Sequence, residues 1–181
     1  MIFSKPLYYI TKVRDHHKNK EKILWAISTV NGRNYDDGIS KISNTDWTYQ
    51  KDGVEFDWYT YSLSESDRDS YARLIYKKFG KDTCSIQNVW YNQYSPYSGT
   101  EHTWHTHDQG DPLSLASIYY VELKDKSLRT ILEHPKTGKE IVPRVKEGEI
   151  LTFHPGIKHM SPPNYTDTRK TIIAFNVLFL K

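Results

Sequence analysis

A single cysteine, Cys84, stands in 181 residues, so no internal disulfide can form, and that sparing use of thiols fits a reducing compartment. No run approaches the roughly 18 consecutive apolar residues that a membrane helix needs. The start, Met1-Ile-Phe-Ser-Lys-Pro6, has neither the charged head nor the apolar stretch of an export signal. The expectation is a cytoplasmic protein with no membrane partner. Internal repeats, low-complexity tracts and Pro/Gly/Ser-rich linkers are absent, which leaves one domain over 1–181. Charge of one sign is also missing. The 25 Lys+Arg stand against 22 Asp+Glu, and a net +3 without a basic stripe is a poor footprint for nucleic acid. The longest basic stretch, His16-His17-Lys18-Asn19-Lys20, borders an apolar run and reads as the solvated face of a helix.

Aromatic residues, by contrast, are plentiful at 14%, a composition that suits pleated sheet. Asp15 can cap a first helix to about Ser28, with Ile23, Leu24 and Ile27 on one stripe. Ser64 followed by Asp67 resembles a capping box for a second helix, whose apolar face is Tyr71, Leu74, Ile75 and Phe79 and whose stop is Gly80. After Gly80 the period shortens. Cys84 to Tyr94, Leu115 to Leu123, Leu128 to Glu133, Glu140 to Val145, Ile150 to Phe153 and Lys170 to Leu180 are β-branched and aromatic runs separated by turn residues. The fold class that follows is α+β, mainly β. Residues 84–181 form a jelly-roll core, and helices and loops from 1–83 support it.

The chemistry concentrates in Gly99-Thr-Glu-His-Thr-Trp-His-Thr-His-Asp108. Residues two apart on a strand share a face, so His105 and His107 can present two imidazoles to one ion. Spacing alone leaves open whether they are ligands or ordinary core or surface histidines. Far downstream, Lys146 to His159 reads as a turn, a strand and a tight Pro-Gly bend that delivers His159, a third imidazole that intervening strands can bring back. Arg169, ten residues beyond, shares a face with Thr171 if the strand is regular, and a guanidinium beside a hydroxyl suits a carboxylate. Tyr91, Asn92, Tyr119 and Trp104 are candidates to line a pocket, or simply core. His102 is an odd number of positions from His105, which argues against a shared site. Cys84 reads as a buried thiol.

As a set, Trp104-His105-x-His107, Tyr119-Tyr120, the segment from Glu147 to Asn164 and Arg169-Lys-Thr-Ile-Ile-Ala-Phe-Asn176 resemble the Fe(II)/2-oxoglutarate-dependent oxygenases. The nearest pattern is that of the prolyl-hydroxylase-like enzymes of bacteria and phages. The resemblance spans about 84–180 and implies a double-stranded β-helix with Fe(II) on His105, His107 and His159. It further implies 2-oxoglutarate anchored by Arg169 and Thr171, and O2 as cosubstrate. The implied reaction couples decarboxylation to succinate and CO2 with hydroxylation of a protein or small molecule. One feature departs from the family pattern of two histidines and a carboxylate. His107 occupies the acid position, so the site holds three imidazoles unless Asp108 or Asp111 joins through a bulge. The competing readings are another cupin-type metal enzyme, such as a three-histidine dioxygenase or an isomerase, and a non-catalytic jelly-roll module that binds carbohydrate or protein.

Overall fold

The computed structural model describes residues 6–30, 32–47, 56–107 and 114–180. Its helices are α1 (His16–Thr29), α2 (Trp58–Ser62) and α3 (Glu65–Phe79). Strands β1 (Tyr8–Lys12), β2 (Arg33–Asp36), β3 (Lys41–Thr45), β4 (Cys84–Tyr94), β6 (Leu115–Leu123), β9 (Glu149–Phe153) and β11 (Lys170–Phe179) make the larger sheet, in the order β1-β9-β6-β11-β4-β3-β2. The smaller sheet is β5 (His102–His105), β10 (His159–Ser161), β7 (Ile131–Glu133) and β8 (Glu140–Ile141), in the order β5-β10-β7-β8. All the pairings are antiparallel.

Alternation along the central strands divides two cores. Leu115, Tyr119 and Val121 of β6 and Ile173, Phe175 and Val177 of β11 pack against Ile23 and Ile27 of α1 and Tyr71 and Ile75 of α3. Ala116, Ile118 and Tyr120, with Ile172, face the other way toward Leu132, Val145 and Ile157. These two strands are buried on both faces because helices cover one and the small sheet covers the other, which explains their nearly unbroken apolar runs. The jelly-roll expectation therefore holds, and strands β1, β2 and β3 from before residue 84 join its larger sheet.

Local chemistry accounts for the element ends. Ser64 Oγ accepts the Asp67 N–H at the start of α3, and Gly80 closes that helix in the left-handed region at φ 66°. The capping box is only half made. The buried Asp67 carboxylate instead accepts from the Arg14 and Asp15 N–H groups at 2.7 and 3.2 Å, tying α3 to the start of α1. Asp15 accordingly makes no side-chain cap of its own. The basic stretch is not wholly solvated either. His16 is buried against Tyr119, whose hydroxyl lies 2.8 Å from its Nδ1, and Lys20 pairs with Glu147 at 2.6 Å. Gly148 is needed where it sits, because its φ is 81° and a Cβ there would meet the His16 ring at 3.0 Å. Two expected strands are shorter than their apolar runs. Asp125 accepts the Ser127 N–H and draws Lys126–Leu128 into a 3₁₀ turn, and β8 ends before Pro143, which has no N–H for the ladder.

Candidate metal centre and its anion pocket

Strand β10 is the hinge of the site. It pairs with β5 so that His159 lies opposite His105, and one ring nitrogen from each of His105, His107 and His159 lies within 4.8 Å of the others. Each ring has its Nδ1 engaged. His105 Nδ1 meets Thr103 O at 2.7 Å, His159 Nδ1 meets Ile157 O at 3.0 Å, and His107 Nδ1 meets Asn176 Oδ1 at 2.7 Å. Oxygen acceptors place the single proton of a neutral imidazole on Nδ1 and leave the Nε2 lone pair free for a metal. Burial favours the same neutral form. It pulls His105 down to about 4, lowers His107, and holds His159 well below the ordinary histidine value. The donor set and its tautomers thus fit a divalent ion of the iron, zinc, copper or nickel type. Asp108 and Asp111 lie outside the described residues.

His102 joins the cluster despite its parity. The β5·β10 register slips between His159↔His105 and Ser161↔His102, two steps on one strand against three on the other. That bulge turns His102 onto the face of His105, where the rings stack with centroids 3.7 Å apart and planes 18° from parallel. Burial lowers His102 to about 3. It lines the same small cavity as the three histidines, together with Trp90, Asn92, Tyr94, Thr130 and Ser161.

Arg169 and Thr171 do not reach this cavity. They share a face, as expected, but both turn to Glu122: Arg169 in a two-pronged pair at 2.8 and 3.1 Å, exposed at the sheet edge, and Thr171 through its hydroxyl. Between them Lys170 points inward. It has no measurable exposure, its Nζ donates to Ser161 Oγ at 2.7 Å, and it sits 5.1 Å from the Tyr94 ring and 5.8 Å from the Tyr120 ring. Among the described residues no carboxylate pairs with Lys170, and burial pulls its ammonium down to about 7. Of the other candidates, Asn92 lines the cavity and accepts the Thr45 hydroxyl at 2.7 Å. Tyr91 and Tyr119 face the helices instead, bonded to Asn44 and His16. Trp104 is not part of the lining and lies under the Lys158 ammonium at 5.6 Å. Of the residues missed, Lys170 and Asn176 share the parity of the cavity-lining Ile172 and Ala174 along β11, and Tyr94, opposite Lys170 on β4, lines the cavity itself. An asparagine inside an otherwise apolar strand was the available signal.

No protein-family model matches the sequence, nor does any curated protein. Solved structures do match, over nearly the whole chain. The viral collagen prolyl hydroxylase of Paramecium bursaria Chlorella virus-1, solved with 2-oxoglutarate, superposes over all of both chains with a TM-score of 0.61 at 13% identity. The α-ketoglutarate-dependent epimerase SnoN of nogalamycin biosynthesis gives 0.69 at 10% identity, covering 96% of this chain and 78% of that one. A prolyl hydroxylase of Trichoplax adhaerens, solved with a peptide of hypoxia-inducible factor, gives 0.66 at 16%, covering 94% and 83%. The fold is that of the Fe(II)/2-oxoglutarate oxygenases, a double-stranded β-helix.

Proposed function

We propose that this protein is an Fe(II)- and 2-oxoglutarate-dependent oxygenase that hydroxylates a peptide or small-molecule substrate. The observation that carries the reading is a fully buried ammonium with no described anion, bonded to Ser161 on the strand that carries His159, one of three clustered imidazoles whose Nε2 lone pairs are free. A buried unpaired cation costs stability, and its natural complement is an anionic ligand. His105, His107 and His159 hold the iron, and Lys170 takes over from Arg169 as the partner for the distal carboxylate of the keto acid. Ser161, with its hydroxyl already on Nζ, and the Tyr94 and Tyr120 rings fix the ammonium and keep water away from it. Tyr120 is itself held by its hydroxyl bond to Thr130 at 2.7 Å. Ile118, Ile172, Ala174 and Trp90 give the cavity dry walls.

When bound with the keto acid and O2, iron supplies the oxidation: decarboxylation to succinate and CO2 delivers one oxygen atom to a substrate C–H bond. The protein's own task is to fix the three nitrogens, neutralise the distal carboxylate and exclude water. Lys170 also weighs against an ordinary cupin, which has no need of a buried cation beside its metal.

The test is an anaerobic titration of Fe(II)-loaded protein with 2-oxoglutarate, read by the visible charge-transfer band of the chelated keto acid. A saturable band that survives Arg169→Ala and is lost in Lys170→Met is expected. A band lost in Arg169→Ala and kept in Lys170→Met would reverse the assignment of the anchor. Iron binding with no band at any concentration would move the reading to cupin-type chemistry.

A further inference from the structure

His107 differs from its two companions in how it is oriented. The Nδ1 partners of His105 and His159 are the carbonyls of Thr103 and Ile157, each two residues upstream, so backbone geometry provides them whatever the side chains. The backbone of His107 is fastened by its N–H to Pro155 O at 3.0 Å, but its ring depends on a side chain 69 residues away, Asn176 on β11. Asn176 is 5% exposed and is the only polar residue between Ile172 and Val177, so a buried amide interrupts an apolar strand at this point. The opposing strand is irregular here. The β4·β11 register slips between Phe175↔Val89 and Asn176↔Gln87, and the extra residue, Asn88, adopts φ 43°. Such bulges raise the local twist and recur beside functional sites. Trp90, two residues on, closes the other side of the His107 ring at a centroid distance of 5.7 Å.

We propose that Asn176 is a positioning residue: its Oδ1, accepting from His107 Nδ1–H, selects the imidazole tautomer and angle that let a histidine serve at a position where the oxygenase pattern has an acid. The inference rests on the metal reading above and deepens it. A carboxylate offers lone pairs on both oxygens in any rotamer and needs no tautomer selection. A neutral imidazole offers one lone pair, and its place depends on where the proton sits. Residues 107 and 176 therefore work as a pair. Asn176 touches neither metal nor substrate and acts only through the ring.

Two readouts separate this role from a merely structural one. The first is the ring-nitrogen tautomer of His107 in metal-free protein, observed by long-range ¹H–¹⁵N NMR. The second is Co(II) affinity, followed by visible absorption. Wild type is expected to hold His107 as the Nδ1–H form. In Asn176→Leu that single form is lost and Co(II) binding weakens 10- to 100-fold. In Asn176→Asp the acceptor is kept, and both readouts return to within a few-fold of wild type. In a His107→Asp background, Asn176→Leu should change the affinity by less than about 3-fold, because the pair is already broken. Should Asn176→Leu fail to fold, Asn176→Ser, whose hydroxyl is too short to reach the ring, carries the same comparison. An Nδ1–H form and an affinity that both survive removal of the acceptor would overturn the proposal. Wild type that holds the Nδ1–H form yet binds no Co(II) would instead overturn the metal reading, leaving the hydrogen bond as structure only.

Discussion

Replacing Lys170 by methionine should make the metal-free protein more stable and useless for binding the keto acid. The native ammonium is pulled from 10.5 to about 7 by burial. At about 1.4 kcal/mol per pKa unit the depression costs the native state about 5 kcal/mol. The cost is complete at pH 7 and below, where the unfolded chain carries the proton freely. It shrinks as pH rises from 7 to 10.5, where the unfolded lysine also loses its proton, and is about 1 kcal/mol at pH 10. Methionine keeps most of the stem and removes the charge, but it leaves the Ser161 hydroxyl without its donor, a loss of about 1–3 kcal/mol. The net gain at pH 7 is then about 2–4 kcal/mol, or roughly 4–16 °C in Tm for a chain of this length. At pH 10 the gain should vanish or change sign.

The assay is calorimetric melting of wild type and Lys170→Met at pH 7 and pH 10, metal-free, then Mn(II)-loaded and oxygen-free with 2-oxoglutarate. Keto acid at a hundred times its Kd should stabilise wild type by about 2.7 kcal/mol and leave the variant unmoved. A variant that melts below wild type at pH 7 and still responds to 2-oxoglutarate would refute the argument, because Lys170 would then be a satisfied core residue.

Other expectations follow from the same geometry. His159→Ala and His105→Ala should each abolish Co(II) binding, read by absorption, while leaving the fold intact by circular dichroism. Five histidines, His16, His102, His105, His107 and His159, have native pKa values below the unfolded value, so metal-free protein should be most stable above pH 6.5 and lose stability as pH falls below it. The slope approaches about 1.4 kcal/mol per pH unit for each ring, and His102→Gln should reduce it by about a fifth in urea titrations between pH 7 and 5. Arg169→Ala should cost no more than about 1 kcal/mol in denaturant melts, since its pair with Glu122 is half in solvent. Asp67→Ala should cost about 1–3 kcal/mol, because it orphans the Arg14 and Asp15 amides at the α1 junction; a change within error would mean that water replaces the carboxylate.

The sequence revealed most where one physical signal dominated. Leu115–Leu123 is read to the residue because both faces of that strand are buried and its apolar run is nearly unbroken, and Cys84–Tyr94 because β-branched and aromatic residues fill it between turn signals. Ser64 and Gly80 likewise bracket α3 by capping chemistry alone. The three histidines were legible from spacing and a Pro-Gly bend. What could not be read was which parity of β11 faces the histidine cluster, since a one-residue shift exchanges every side chain between faces. Arg169 looked the better carboxylate receptor by side-chain chemistry, yet the strand turns it to Glu122 and sends Lys170 inside. The same exchange put Tyr119 against the helices and Tyr120 beside the ammonium. His102 was lost to a different cause, a bulge between β5 and β10 that no alternation rule anticipates.

These outcomes bear on the charge of the centre. In the two-histidine, one-carboxylate pattern the protein contributes an anion to the metal. The candidate cluster among the described residues here is instead three neutral rings, whose Nδ1 protons rest on two carbonyls and one amide, none of them charged. Lys170, bonded to the cavity-lining Ser161, adds a cation that likewise has no counter-ion among the described residues. A divalent ion in this setting leaves a surplus of positive charge in a dry pocket, and low dielectric magnifies it. A dianionic chelator that bridges ion and ammonium would relieve both at once. Metal and keto acid should therefore bind with strong positive coupling: 2-oxoglutarate should tighten Mn(II), and Lys170→Met should remove most of that tightening while changing Mn(II) affinity alone only slightly. Isothermal titration of Mn(II) with and without the keto acid, in both proteins, measures the coupling directly. Equal coupling in the two would mean that the ion alone gathers the ligand and that the buried lysine serves the fold.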